Sequence, residues 1–281
     1  RMQKQELGRL FYEIEKDRNE IIKKQEEIAS KQQESIQKRK SFEEKMNQLS
    51  YTIRMKQSRK QFLEETEREK EGYNKSVKSL LLACDKEESL RKGMHGVLAN
   101  LISVPKEYET AIEMALGAAL QNIVTETEED AKKLIQYLRD KNLGRASFLP
   151  MTSVKARPLE NLNQKGIEGV IGVASSLVSC KKQYEGIISN LLGKTVIVEN
   201  MDCAIKLAKQ NHYAFRIVTL QGDILNSSGS MTGGSVANKT VNILGRGREI
   251  EELEKQLQGM KQELENEEKQ NKNMKMAINP C

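Results

Sequence analysis

Two long, strongly charged heptad stretches enclose everything else in this 281-residue chain, and they limit the architectures open to it. Residues 1–92 are dominated by Lys, Glu, Gln and Arg. They carry apolar residues at seam spacing: Leu7, Phe11, Ile14, Ile21 and Ile28, then Phe42, Met46, Leu49 and Ile53. Tyr73, Val77, Leu80 and Cys84 resume the alternation. The spacing predicts one helical arm over 1–92, with register breaks near Ile36 and between Ile53 and Tyr73, and a weak point at Gly72. Residues 243–281 repeat the pattern with Ile250, Leu253, Leu257, Met260 and Leu264; it passes Glu267 and Asn271 and reaches Met274 and Ile278. A narrow apolar seam on a charged helix needs a partner helix. The two stretches flank one insert, so they leave it together and the expected pairing is antiparallel. With Arg91 set against the region of Arg248, the second arm reaches back to about position 57, a stem of roughly 50 Å at ~1.5 Å per residue. Residues before about Gln57 are then expected to lack a partner in this chain.

Composition agrees with an elongated, solvated part. Charged residues make up 31 % of the chain, aromatics 4 %, and there is no Trp. The four prolines, Pro105, Pro150, Pro158 and Pro280, leave the first hundred residues free of helix breakers. A net charge of +6 and a pI near 8.9 permit contact with a polyanion without establishing it. Cys84, Cys180, Cys203 and Cys281 form no C-x-x-C pair, and His95 and His212 stand apart, so no zinc site is expected. The scattered thiols fit a reduced, cytosolic protein. No apolar run approaches the ~20 residues of a membrane span, and no signal-peptide pattern opens the chain. Arg1 is not an initiator residue, which suggests a piece of a longer protein.

Residues 93–242 differ in character and read as a mixed α/β domain. Gly93-Met94-His95-Gly96 punctuates the end of the first arm, with His95 as a turn residue, and Val97–Val104 is an apolar run of strand length. A helix follows Pro105 through Tyr108, Ile112 and Leu116, and Asn122–Thr125 suggests a short strand. Thr127 and Asp130 resemble a capping box opening a helix through Ala131, Leu134, Ile135 and Leu138. Arg145–Leu149 reads as another strand, and 151–169 as a connecting loop. The same order then recurs. Tyr184, Ile187 and Leu191-Leu192-Gly193 echo Tyr108, Ala111 and Ala115-Leu116-Gly117; Ala204, Lys206 and Leu207 echo Ala131, Lys133 and Leu134; Phe215–Val218 stands where Gly144–Ser147 stood. Two half-repeats, about 97–150 and 170–235, suggest a pseudo-twofold domain, not a solenoid.

The domain closes on Gly229-Ser230-Met231-Thr232-Gly233-Gly234-Ser235. Glycines this dense suit a phosphate cradle, a bare linker, or a place where another backbone comes close. The phosphate-loop pattern needs a Lys directly after its last glycine, and here the first cation is Lys239; nor does the patch fit G-x-G-x-x-G in a βαβ setting. No G-x-S-x-G elbow surrounds Ser230 or Ser235, and Glu128-Glu129-Asp130 suits the start of a helix, so no catalytic group stands out. Close approach at a sheet edge, with another subunit's backbone, is the preferred physical reading, since Gly229, Ser230, Gly233 and Gly234 offer the small side chains it needs. Lys239, Arg246 and Arg248 at the root of the second arm, with Arg91 and Lys92 at the end of the first, are the candidates for phosphate contact with DNA. The aromatic interleaving of a single-strand stacking platform is missing.

Taken together, Gly93–Gly96, Lys106–Glu113 with Leu116-Gly117, Leu143–Pro150, Thr219–Asp223 and the glycine patch resemble the hinge of the structural-maintenance-of-chromosomes (SMC) family, its bacterial homodimeric members above all. The resemblance spans roughly 93–248, and the arms agree in type. It implies an SMC-hinge fold of two pseudo-repeated halves on an antiparallel two-helix coiled coil, with Gly229, Gly233, Gly234 and Ser235 at the homodimer interface. It also implies a parent that is an ATPase, with ATP, Mg, the kleisin and accessory subunits all at distant heads. This chain would then be no enzyme and hold no cofactor, and its parent would be cytoplasmic and associated with the nucleoid. The family's lysine-rich run after the glycines is reduced here to Lys239. A DNA-binding coiled-coil module with incidental dimerisation is the alternative. The zinc-hook proteins of DNA repair are set aside by the missing C-x-x-C motif.

Overall fold

A computed structural model describes the backbone of residues 2–235 and 243–278 and the side chains of residues 10–235 and 243–272. The chain divides into two units, Arg1–Arg59 with Leu253–Cys281, and Lys60–Glu252. Helix α1 runs Met2–Arg68, and α2 (Lys75–Lys86) and the one-turn α3 (Glu88–Arg91) follow. The single helix expected over 1–92 is therefore interrupted at residues 69–74. Lys70 and Gly72 take φ of 53° and 88° there. The Glu71 N–H donates back to the Thr66 carbonyl at 3.0 Å, a helix-ending pattern built on a left-handed residue.

In the first unit the two arm helices run antiparallel, α9 spanning Ile243–Ile278. Ile53, Leu253 and Leu257 are buried. Lys56 Nζ donates to Gln256 Oε1 at 2.7 Å, and Lys45 pairs with Glu263 at 3.6 Å and with Glu267. The contacts of Lys45 and Lys56, with Asn271 against Met46 at 3.7 Å, move the boundary expected at about Gln57 back along α1, while Phe11, Ile14, Ile21, Ile28 and Ile36 stay exposed. The cause lies in α2. Its face of Val77, Leu80, Leu81 and Cys84, and Tyr73 before it, sinks into the main core of the second unit and does not prolong the arm seam. The upper arm is thus shorter than the heptads suggested, and α9 pairs with α1 further back.

The second unit carries the duplication. Its first half holds β1 (Met94–Val97), the one-turn α4 (Leu98–Leu101), β2 (Ile102–Ser103), α5 (Glu109–Leu116), β3 (Ile123–Thr125), α6 (Glu128–Asp140) and β4 (Phe148–Pro150). The second holds β5 (Val170–Val173), β6 (Ser179–Cys180), α7 (Glu185–Leu192), β7 (Thr195–Val198), α8 (Met201–Gln210) and β8 (Arg216–Thr219), and then adds a hairpin of β9 (Ile224–Leu225) and β10 (Met231–Thr232). Strand order is β1-β3-β4 in one sheet and β10-β9-β8-β7-β5 in the other. In each half the first strand is antiparallel to the third, β1 to β3 and β5 to β7, and bulged at the same place, Met94/Gly96 and Val170/Gly172. The Gly93 and Gly169 carbonyls accept equivalent bonds from Glu126 and Glu199, both at 2.8 Å. The next pairs, β3–β4 and β7–β8, are both parallel. Equivalent partners place Phe148 and Leu149 opposite the positions of Ile217 and Val218, which shifts the alignment read from Gly144–Ser147.

The apolar run Val97–Val104 is not one strand. Val97 ends β1, Leu98 and Ala99 bury themselves on a helical turn, and β2 pairs with β6 through Ile102–Cys180 and Ser103–Ser179, stitching the halves together. A short apolar run does not by itself distinguish strand from buried turn. Helix α6 opens on the capping box, Thr127 and Asp130 each accepting from the other's backbone N–H. Ile112, Ile123, Leu134, Ile187, Leu192, Ile197 and Ile217 are at most 1 % exposed and form the packed interior. The irregular residues 151–169 lie along the second half, where Asn190 Nδ2 donates to the Lys155 carbonyl at 2.6 Å.

Leu80→Ala is expected to destabilise the second unit by about 3 kcal/mol, because a fully buried side chain leaves a cavity. Phe11→Ala, on an exposed seam position, should stay within about 0.5 kcal/mol. Urea unfolding followed by circular dichroism separates the two.

Candidate dimerisation edge and arm junction

The glycine patch folds as the tip and outer strand of the β9–β10 hairpin. The Asn226 N–H donates to the Ser230 carbonyl and the Gly229 N–H to the Asn226 carbonyl, both at 2.9 Å, and Gly229 takes φ 85°. Met231 and Thr232 then pair with Leu225 and Ile224. The last two glycines are required for different reasons. A Cβ on Gly233 would stand 2.4 Å from Asp223 Oδ1, so that residue needs the missing side chain. Gly234 has open space around it but takes φ 133° and donates its N–H to the same oxygen at 3.2 Å. Asp223 is itself fixed by Thr219, whose Oγ1 accepts from the Asp223 N–H at 3.0 Å. Gly229, Gly233, Gly234 and Ser235 are all exposed.

β10 is the last strand of its sheet and β4 the last of the other, and among the described residues neither has a strand on its far side. The second half covers β8 with β9, whereas the matching flank of β4 is bare. Two large apolar side chains sit at these flanks, and one of them, Ile135, was expected to face the core with Ala131, Leu134 and Leu138. Met231 on β10 is 53 % exposed, and Ile135 on α6 is 41 % exposed. Ile135 lines a depression of about 520 Å³ with Leu138, Arg139, Asn142, Arg145 and Ala146, the last two leading into β4.

The cations singled out for DNA do not gather in one place. Lys239 lies outside the described residues. Arg246 is only 2 % exposed: Nη1 donates to Glu67 Oε2 at 2.6 Å and Nη2 to the Glu71 carbonyl at 2.7 Å. Arg248 donates to Glu109 and Glu252, both at 2.6 Å, and its hydrogen bond to Glu109 above all raises its pKa against the opposing desolvation. Arg246 is thus sealed inside, and Arg248, half-buried, is held by two carboxylates. They line a cavity of about 610 Å³ with Ile102, Val104, Cys180 and Leu244. Arg91 and Lys92 are exposed and line a separate depression with Cys84 and Ser89.

The partners of Arg246 form a network that no sequence motif announced. Glu67 Oε1 accepts from Asn100 Nδ2 at 3.2 Å, and Asn100 Oδ1 accepts from the Tyr73 hydroxyl at 3.1 Å. Burial, with Glu67 nearby, pushes the Tyr73 phenol up to about 12. Gln121 Oε1 accepts from the Asn74 N–H at 2.6 Å. His95, expected in a turn, lies in β1 and bridges the halves, with Nδ1 3.0 Å from the Tyr184 hydroxyl and Nε2 2.7 Å from Glu126. Burial raises the Cys84 thiol to about 11 and also lifts Cys180 and Cys203, which keeps all three protonated near neutrality. No cluster of three metal-ligating side chains and no helix long and apolar enough to cross a membrane occurs among the described residues.

A family model described as the SMC proteins flexible hinge domain matches residues 91–208. The chromosome partition protein Smc of Clostridium kluyveri is 42 % identical over 200 residues, 68 % of this chain and 16 % of that protein. Its counterpart in Bacillus subtilis is 39 % identical over 223 residues, 78 % of this chain and 18 % of that one. The chain therefore spans about a sixth of the length of these relatives. A crystal structure of an asymmetric dimer of the Geobacillus stearothermophilus SMC hinge domain superposes with a TM-score of 0.76 at 34 % identity, covering 87 % of this chain and 98 % of that one.

Asp223→Ala removes the carboxylate that accepts from the Gly234 N–H and, at 3.3 Å, from the Thr219 hydroxyl, and is expected to cost about 1–2 kcal/mol in urea unfolding. Gly234→Ala should add a separate loss, since alanine resists φ 133°.

Proposed function

The chain belongs to the SMC hinge family, and on that premise we propose that it joins two SMC chains through the bare edges of its two sheets. Each chain offers one edge at β4 and one at β10. In a twofold-symmetric pair, β10 of one copy lies along β4 of the other, and the same contact recurs on the far side of the axis. The observation that carries this reading is the unequal finish of two otherwise matching halves: β8 is covered by β9, and β4 is not. Small residues at 229, 230, 233 and 234 let a second backbone come close. Met231 would then reach the depression beside Ile135, giving the contact an apolar centre. Charge favours the same pairing. Residues 94–150 hold six basic against eight acidic side chains, and residues 151–235 hold nine against six.

In the whole protein this module would serve chromosome condensation and segregation at the nucleoid, as the link between two coiled-coil arms. ATP, Mg, kleisin and accessory subunits would act at distant heads, leaving the hinge itself a structural part. Any DNA contact at the root of the arms would rest on the exposed Arg91 and Lys92, with Lys239 as a further candidate.

Gly233→Glu with Gly234→Glu, and separately Ile135→Asp, should reduce the light-scattering mass from about twice 31.9 kDa to that single-chain value. A dimer that survives all three substitutions contradicts the edge-pairing reading. Arg91→Glu with Lys92→Glu should weaken a low-salt gel shift of duplex DNA several-fold. Unchanged retention removes both from any DNA contact.

A further inference from the structure

The interruption at residues 69–74 is at odds with its own sequence. The run Glu64-Glu65-Thr66-Glu67-Arg68-Glu69-Lys70-Glu71 is rich in good helix formers, and Lys70 nevertheless takes the left-handed conformation at φ 53°. Only Gly72, at φ 88°, suits the bend. The groups that hold the bend come from elsewhere in the second unit. Arg246 on the first turn of α9 takes the Glu67 carboxylate and, at 2.7 Å, the Glu71 carbonyl, an acceptor which an unbroken helix would give to residue 75. Gln121 takes the Asn74 N–H, which an unbroken helix would give to Lys70. Asn100 ties Glu67 to Tyr73 on either side of the bend. Next to Arg246 lies the cavity of about 610 Å³, which leaves room for the first turn of α9 to shift.

We propose that residues 69–74 form a two-state joint, bent while Arg246 holds Glu67 and the Glu71 carbonyl, and continuous helix from α1 into α2 when that hold is lost. Arg246 is the positioning residue, and Gln121 and Asn100 support it. The continuous state recovers intrahelical bonds for residues 72–77 and removes the left-handed Lys70. The bent state keeps Tyr73 and the face of α2 in the core. The balance between the two is set at the root of α9, so the joint links the end of one arm to the start of the other.

The test is carried out on the full chain by NMR, reading the backbone carbon shifts of Lys70 and Gly72, which separate left-handed from helical residues. Arg246→Met should produce a helical Lys70 and slow amide exchange over residues 72–77 at least tenfold. Gly72→Ala, with Arg246 intact, should move the Lys70 signals the same way, and it decides the matter if the arginine variant fails to fold. Adding Lys70→Gly to either variant should restore the bend. A left-handed Lys70 that persists in the folded Gly72→Ala protein, or in a folded Arg246→Met protein, overturns the proposal.

Discussion

An extended strand at the end of a sheet keeps a row of N–H and C=O groups unpaired, and the proposed dimer draws on two such strands, β4 and β10. β4 and β10 are short, which limits how readily either associates with an unrelated strand. Duplication explains how the rows arose. Two copies of one β-β-α-β-α-β unit meet through β2 and β6, and only the second copy gains the extra hairpin. One half therefore ends bare and the other ends on an added strand. A chain with one edge of each kind is suited to a partner identical to itself.

The arms are secured by means other than the seam. Arg246 and Arg248 stand two residues apart on α9 and grip different elements, the first α1 and its interrupted end, the second Glu109 on α5. Both pairs join an arginine to a carboxylate in a partly or fully buried setting, where an unpaired charge would be costly. Helix α2 adds its apolar face to the same core. The root of the arms thus belongs to the second unit.

Much of this was legible in the residues. The heptads gave two antiparallel helices, the echo of Tyr108 in Tyr184 gave the repeat, and Thr127 with Asp130 gave the start of α6, because each rests on local spacing. What escaped depended on distant partners. Tyr73, Val77, Leu80 and Cys84 keep heptad spacing, but the surface they cover is a domain core, and periodicity does not name the surface. Arg246 looks like any exposed cation until Glu67, 179 positions away, is brought beside it. The apolar run at Val97–Val104 concealed a turn that only the β2–β6 pairing requires. Met231 and Ile135 were visible but ordinary, and they gain meaning from their place beside open strand edges.

The proposed dimer pairs β10 of one chain with β4 of another. Amide hydrogen exchange measured as a function of protein concentration tests it most directly. Peptides covering Gly229–Ser235 and Arg145–Pro150 should become protected together as concentration rises, while those covering β7 stay equally protected throughout. Exchange at both edges that ignores concentration, in a protein whose mass doubles over the same range, would place the dimer contact elsewhere and contradict the account.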